Sequence, residues 1–137
     1  DGDHHGTSAA IEYAVTSLKV AHIIILGHSN CGGVLSCYNM CSGEAPELER
    51  QSSFVGRWMD ILRPGYERVK NNENSEQQIK MLEKQAVIIS LENLRGFPFV
   101  KEALDNQTLS IHGLWHEIGS GSLFVLDKEE FKPIIAE

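Results

Sequence analysis

The sequence predicts an α/β fold: a mainly parallel sheet flanked by helices, with an antiparallel hairpin at its C-terminal end. Three observations carry this. The run Ile23-Ile24-Ile25-Leu26 is apolar, mostly β-branched and uninterrupted, and it ends in Gly27. Such a run reads as a strand buried on both faces, as in the middle of a parallel sheet. Helical patterns stand before and after it, the alternation from which parallel sheets are built. Residues 108–118 then alternate, Gly119-Ser120-Gly121-Ser122 reads as a turn, and 122–126 returns as a second strand, which makes a hairpin.

The 137 residues are enough for one domain, 1–137, with a real core. A net charge of −7 with no basic run argues against a nucleic-acid surface. The apolar runs are too short for a membrane span. Cys31, Cys37 and Cys41 are odd in number and crowded together; free thiols in a reducing cytoplasm fit that pattern better than a disulfide framework. The chain opens Asp1-Gly2-Asp3-His4-His5-Gly6, without methionine, and enters a helix almost at once. A complete α/β domain usually places a strand first, so the expectation is a domain incomplete at its N-terminus, its first strands missing. The His4-His5 pair reads as plain loop.

Thr7 or Ser8 is the expected cap of a helix running to about Lys19, with Ala10, Tyr13, Ala14 and Leu18 on one face. The central strand follows at about 21–27. A short helix is expected over Val34–Met40, ending near Ser42-Gly43. Cys37 and Cys41 lie i, i+4 on it and read as buried, inert thiols rather than as part of a three-sulfur metal site. Residues 43–51 read as a polar loop, and Ser52–Leu62 as a helix stopped by Arg63-Pro64-Gly65, with Trp58 as a packing residue. Residues 66–74 read as exposed. Ser75-Glu76-Gln77-Gln78 has the form of a capping box and opens the longest helix, 76–94, with Ile79, Leu82, Ala86 and Ile89 on one face. Gly96 and Pro98 end it, and a short helix follows over Pro98–Leu104. His112 and His116 share one face of the next strand and Trp115 takes the other. Two histidines at that spacing on a strand lie about 13 Å apart, too far to share a metal. From Glu129 the chain reads as a surface tail.

Ligands in open parallel sheets sit just outside the carboxyl ends of the strands. Here that position carries Gly27-His28-Ser29-Asn30-Cys31-Gly32-Gly33. Three readings are open. Imidazole and thiolate are favoured zinc ligands, and a catalytic zinc needs three or four donors with one position open to water; His28 and Cys31 supply two. Alternatively, the segment imitates the G-x-S-x-G nucleophile elbow of a serine hydrolase, with Ser29 as nucleophile and His112 or His116 as base. Cys31 stands where that elbow needs glycine, and the hydrolase fold usually needs a longer chain. The third reading is an α/β domain used for assembly, with His28 and Cys31 merely buried.

The residues from Gly6-Thr7-Ser8-Ala9-Ala10-Ile11-Glu12-Tyr13-Ala14-Val15, through Leu18-Lys19-Val20 and the strand, to Gly27-His28-Ser29-Asn30-Cys31-Gly32-Gly33 resemble the β-class carbonic anhydrases in order and spacing. Ser90-Leu91-Glu92-Asn93-Leu94 with Phe97-Pro98-Phe99-Val100 resembles that family's long helix and following turn. Ile111-His112-Gly113-Leu114-Trp115 with Ile118-Gly119-Ser120-Gly121 and Leu123 resembles its C-terminal hairpin. The resemblance implies a zinc lyase that interconverts carbon dioxide and bicarbonate and assembles as dimers or higher multiples. It places His28 and Cys31 as zinc ligands, Gly32 as a substrate contact through its N–H, and Tyr13 as a pocket tyrosine near the dimer interface. The family's Cys-x-Asp-x-Arg motif, with a further cysteine ligand and the aspartate–arginine pair, occurs nowhere in these 137 residues. No catalytic residue is therefore assigned within the chain. The expectation is the C-terminal two-thirds of a longer enzyme; the alternative is a metal-free or non-catalytic relative, or an inactive fragment.

Overall fold

The computed structural model describes residues 5–50, 54–72 and 74–135; His4, and with it the His4-His5 pair as a unit, lies outside them. The elements follow as α1 (Gly6–Thr16), β1 (His22–His28), α2 (Gly32–Ser42), α3 (Pro46–Arg50), α4 (Phe54–Asp60), α5 (Arg63–Val69), α6 (Ser75–Arg95), α7 (Pro98–Asp105), β2 (Ser110–Glu117), β3 (Ser122–Asp127) and β4 (Glu130–Pro133).

The fold is α/β as expected, but the sheet is mixed. Its four strands run in the order β1-β2-β3-β4. β1 and β2 are parallel, with Ile24 opposite His112, Leu26 opposite Leu114 and His28 opposite His116. β3 and β4 add on in antiparallel fashion. The tail expected from Glu129 is thus the edge strand β4, and its Phe131 is half-buried.

β1 also corrects the reading of a strand buried on both faces. Ile23 and Ile25 pack into the core, whereas Ile24 and Leu26 are each 59 % exposed. β1 forms one edge of the sheet, so a continuous apolar run here covers one buried face and one open one. An apolar run of this length cannot distinguish the two cases, because burial depends on which elements stack against each face.

α6 is the element on which the rest is assembled. Its N-cap is Asn74, whose side chain accepts from the Gln77 N–H at 2.8 Å; the capping position is one residue earlier than the Ser75 box suggested. The buried face of α6, Leu82, Val87, Ile89, Leu91 and Leu94, lies against both β1 and β2. Close approach is possible because Gly27 and Gly113 lack side chains. A Cβ on Gly27 would stand 2.5 Å from Val87 Cγ2, and one on Gly113 2.8 Å from Leu91 Cδ1. Two apolar clusters flank this contact. One joins Val34, Cys37, Met40, Met59, Val69 and Leu82 from α2, α4, α5 and α6. The other joins Val15, Leu94, Val100 and Leu109.

Several local expectations change. α1 is capped by His5 without a side-chain hydrogen bond. Its inward residues are Ile11 and Val15, while Ala10, Tyr13 and Leu18 face outward. α2 begins at Gly32 and ends on Gly43, whose φ of 84° is the left-handed cap glycine favours. Residues 46–50, expected as loop, are the short helix α3. Arg63-Pro64-Gly65 does not stop a helix but starts α5, with Pro64 in its first turn, where its missing N–H costs nothing. Residues 66–69 are accordingly helical, with Val69 buried.

Candidate functional site

The carboxyl end of β1 turns sharply into α2, and this turn is tied from two sides. The Ser29 N–H donates to the His116 carbonyl at 2.9 Å, and Ser29 Oγ accepts from the Ile118 N–H at 2.9 Å. Ser29 is buried. Its hydroxyl therefore couples the end of β1 to the end of β2, a structural role that offers the nucleophile-elbow reading no support. Asn30 takes φ 55°, a left-handed conformation that asparagine tolerates better than most residues, and the chain reverses there into α2.

His28 is the last residue of β1. Its Nδ1 lies 2.9 Å from the Ser29 carbonyl oxygen. A carbonyl only accepts, so Nδ1 carries the proton and Nε2 keeps its lone pair. This is the way metal-ligating histidines are commonly oriented. Cys31 is the N-cap residue of α2, half-buried and a free thiol. Both side chains line a cavity of about 640 Å³ whose apolar walls include Leu26, Val34, Trp58 and Ile61. Trp58 lies over the start of α2: a Cβ on Gly33 would meet its ring at 2.5 Å.

A second cavity of about 450 Å³ also reaches Cys31 and adds Asn30, Gly32, Lys80 and Glu117. A Cβ on Gly32 would meet nothing within 4 Å, so the peptide there is open to a small molecule. Thus the structure brings His28 and Cys31 into one cavity and Gly32 into its neighbour. Tyr13 stands apart: it is 60 % exposed on α1 and lines neither cavity.

The residue that sequence reasoning missed is Glu83. It sits in the buried face of α6 at 5 % exposure and lines both cavities. Burial raises its pKa. The backbone N–H groups of Cys31 and Asn30, the nearby His28 and the Trp115 indole act in the opposite direction. The Trp115 N–H is itself fully buried and closes no well-formed hydrogen bond; it faces the carboxylate without bonding it squarely. The sequence held one signal for this residue. Glu83 follows Ile79 by four and precedes Val87 by four, so it occupies a place in an apolar helical stripe where a charge is out of pattern.

Of the other two thiols, Cys37 is buried as expected, whereas Cys41 is only half-buried. Cys37 is fully buried, its Sγ donates to the Met59 carbonyl at 3.4 Å, and burial, with Cys41 adding to it, pushes the thiol up to about 12. His112 lies beside His22, its Nε2 3.1 Å from the His22 Nδ1.

In donor chemistry His28 and Cys31 fit zinc, but they are two of the three or four donors such a site needs. Among the described residues no group of three or more histidine, cysteine, aspartate or glutamate side chains converges as a metal site.

The family model described as carbonic anhydrase matches residues 2–123. The chain is 34 % identical over 132 residues to beta carbonic anhydrase 3 of Arabidopsis thaliana, an alignment covering 94 % of this chain and 50 % of that protein. The chain thus spans about half the length of this relative. The solved β-carbonic anhydrase CcaA superposes with a TM-score of 0.82 at 24 % identity, covering 98 % of this chain and 64 % of CcaA, a likeness of fold. One of two tetrameric β-carbonic anhydrases from the ascomycete Sordaria macrospora superposes with a TM-score of 0.71 at 25 % identity, covering 92 % of this chain and 62 % of that one.

Proposed function

The chain belongs to the carbonic anhydrase family, in its β class, and from that premise we propose that the intact protein interconverts carbon dioxide and bicarbonate at a zinc ion held in part by His28 and Cys31. The observation that carries this is the state of His28. Its Nδ1–H is committed to the Ser29 carbonyl, which leaves Nε2 as the donor nitrogen in a cavity that Cys31 also lines. The remaining donors lie outside the set that the described residues supply.

When bound in such a set, zinc lowers the pKa of water to about 7, which supplies a nucleophile for carbon dioxide at neutral pH. This chain's residues do the rest by placement. Leu26, Val34, Trp58 and Ile61 give the apolar wall that a small uncharged gas requires. The first turn of α2 presents N–H groups without intrahelical partners, and Gly32, with no side chain to shield it, offers its N–H to a carbonate oxygen. Tyr13, exposed on α1, fits a role completed by a second copy of the chain. The tetrameric relatives and the exposed Ile24 and Leu26 support a homodimer or a higher assembly. The three free thiols support a cytoplasmic setting.

One observation favours a second reading, a metal-free relative with the fold and not the activity: among the described residues no three histidine, cysteine, aspartate or glutamate side chains converge as a metal site. Zinc analysis of the intact protein after dialysis against a weak chelator, paired with carbon dioxide hydration rates, separates the two. About one zinc per chain is expected, with zinc and activity both lost in His28→Ala and Cys31→Ser. Wild-type zinc and activity in both variants would sink the assignment, and a zinc-free, inactive intact protein would establish the second reading.

A further inference from the structure

His112 has a partner that spacing along the chain does not reveal. In the parallel register of β1 and β2, His22 stands opposite Ser110 and Ile24 opposite His112. His112 is two residues on from Ser110, and residues two apart share a face of a strand. The imidazoles of His22 and His112 thus meet on one side of two neighbouring strands. Their ring centroids are 5.2 Å apart with 42° between the planes, and His22 Nδ1 stands 3.1 Å from His112 Nε2. Both residues belong to strands of the sheet, which hold a pair of side chains more firmly than loops do. His22 begins β1 and His28 ends it. Six strand residues span about 20 Å, so the pair is separate from the cavity that His28 and Cys31 line.

Two neutral imidazoles can keep this distance through one N–H···N hydrogen bond, in which one ring donates and the other accepts. A metal ion can take the place of the shared proton. Imidazole nitrogen binds zinc at about 2.0–2.1 Å. Two such nitrogens 3.1 Å apart would subtend an angle of about 95–102° at the ion. That lies between the right angle of a square-planar copper(II) or nickel(II) site and the wider tetrahedral angle of zinc. We propose that His22 and His112 form a chelating pair for a late first-row divalent ion, a second metal site remote from the one at the end of β1. His22 is exposed, so the ion and its water can enter. Among the described residues no third histidine, cysteine, aspartate or glutamate joins the pair. Water therefore completes the coordination, and the ion exchanges readily. Imidazole suits copper, nickel and zinc alike, and affinity peaks at copper(II). The proposal does not depend on zinc at His28 and Cys31. A weak chelator strips a two-donor site before a site of three or four donors, so zinc that survives dialysis is not held here.

The test adds nickel(II) to the intact protein after dialysis against a weak chelator, at neutral pH. Nickel(II) is the probe because copper(II) oxidises thiols. Binding is followed by titration calorimetry in the wild type, His22→Ala, His112→Ala and His112→Gln, with the double variant His4→Ala/His5→Ala as a control. Each strand variant should weaken nickel binding at least about tenfold, or about 1.4 kcal/mol. His112→Gln keeps a side chain able to hydrogen-bond His22 and loses the ring nitrogen, so it should fail like His112→Ala. The His4→Ala/His5→Ala protein should bind like wild type, and zinc retained through dialysis should be the same in every variant.

No saturable nickel binding to the wild type would overturn the proposal. So would wild-type affinity in His22→Ala or in either His112 variant, or binding that vanishes in His4→Ala/His5→Ala. Should a variant fail to fold, the wild type alone decides by nuclear magnetic resonance. A small fraction of paramagnetic nickel(II) should broaden the ring signals of His22 and His112 first, and broadening that spares both would overturn the assignment.

Discussion

Replacing Gly27 by alanine should loosen the contact on which the site is built. The added Cβ would stand 2.5 Å from Val87 Cγ2, with the Glu83 carbonyl at 3.6 Å and Trp115 Cδ1 at 3.7 Å. Val87 cannot move aside cheaply: it is 1 % exposed and, being β-branched in a helix, has essentially one χ1 state. α6 must shift away from β1, or the strand must bend. Overpacking of this kind costs about 1–3 kcal/mol. Against it stands a gain of about 0.4–1 kcal/mol from the stiffer unfolded chain, so the net loss should be about 1–2 kcal/mol. Urea denaturation of the wild type, Gly27→Ala, Val87→Ala and the double variant measures it. Val87→Ala alone should lose about 2 kcal/mol through two deleted methyl groups. If the clash with Cγ2 is the cause, the double variant should lie within about 0.5 kcal/mol of Val87→Ala, because the new Cβ enters the space just vacated. Gly32→Ala, with nothing within 4 Å, is the control without a clash. A Gly27→Ala protein as stable as wild type, or strict additivity in the double variant, would refute the reasoning.

Three further outcomes are expected. Cys37 has a folded pKa raised from 9.0 to about 12, so its stabilising contribution is whole below pH 9 and is lost as pH rises toward 12. By pH 11 the loss should reach about 3 kcal/mol, seen as an alkaline fall in unfolding free energy that Cys37→Ala does not show. Ser29→Ala removes the acceptor of the Ile118 N–H and should cost about 1–3 kcal/mol, while a fluorophosphonate should label neither the wild type nor the variant at position 29. Asn74→Ala removes the side chain that caps α6 and should lower stability by about 1 kcal/mol, with no change in zinc content.

Much of this architecture was legible before any coordinates. The apolar run ending at Gly27, the long amphipathic stripe from Ile79 and the alternating stretch closed by Gly119-Ser120-Gly121 each express a local rule, and β1, α6 and the β2–β3 hairpin stand where those rules put them. His28 and Cys31 were legible for the same reason: a strand end followed by a helix start needs only nearby sequence to specify it. The errors came where one local signal serves two structures. Pro64 reads equally as the end of one helix or the first turn of the next, and it proved to be the second. Ser75 and Asn74 are both good caps, and the side-chain hydrogen bond chose Asn74.

What the sequence by itself determined, then, was most of the elements, though not α3, α5 or β4, the family, and the imidazole and thiol at the end of β1. The tertiary structure alone decided that Ile24 and Leu26 lie exposed on one face of β1, that Ser29 binds the end of β2 rather than serving as a nucleophile, and that Glu83 on α6 lines the same cavities as Cys31. The physical reason is distance along the chain. Glu83 lies more than 50 residues from Cys31, and no periodicity or spacing encodes their meeting at one cavity wall. Such a contact exists only once Gly27 and Val87 have set how closely a helix can lie on a strand.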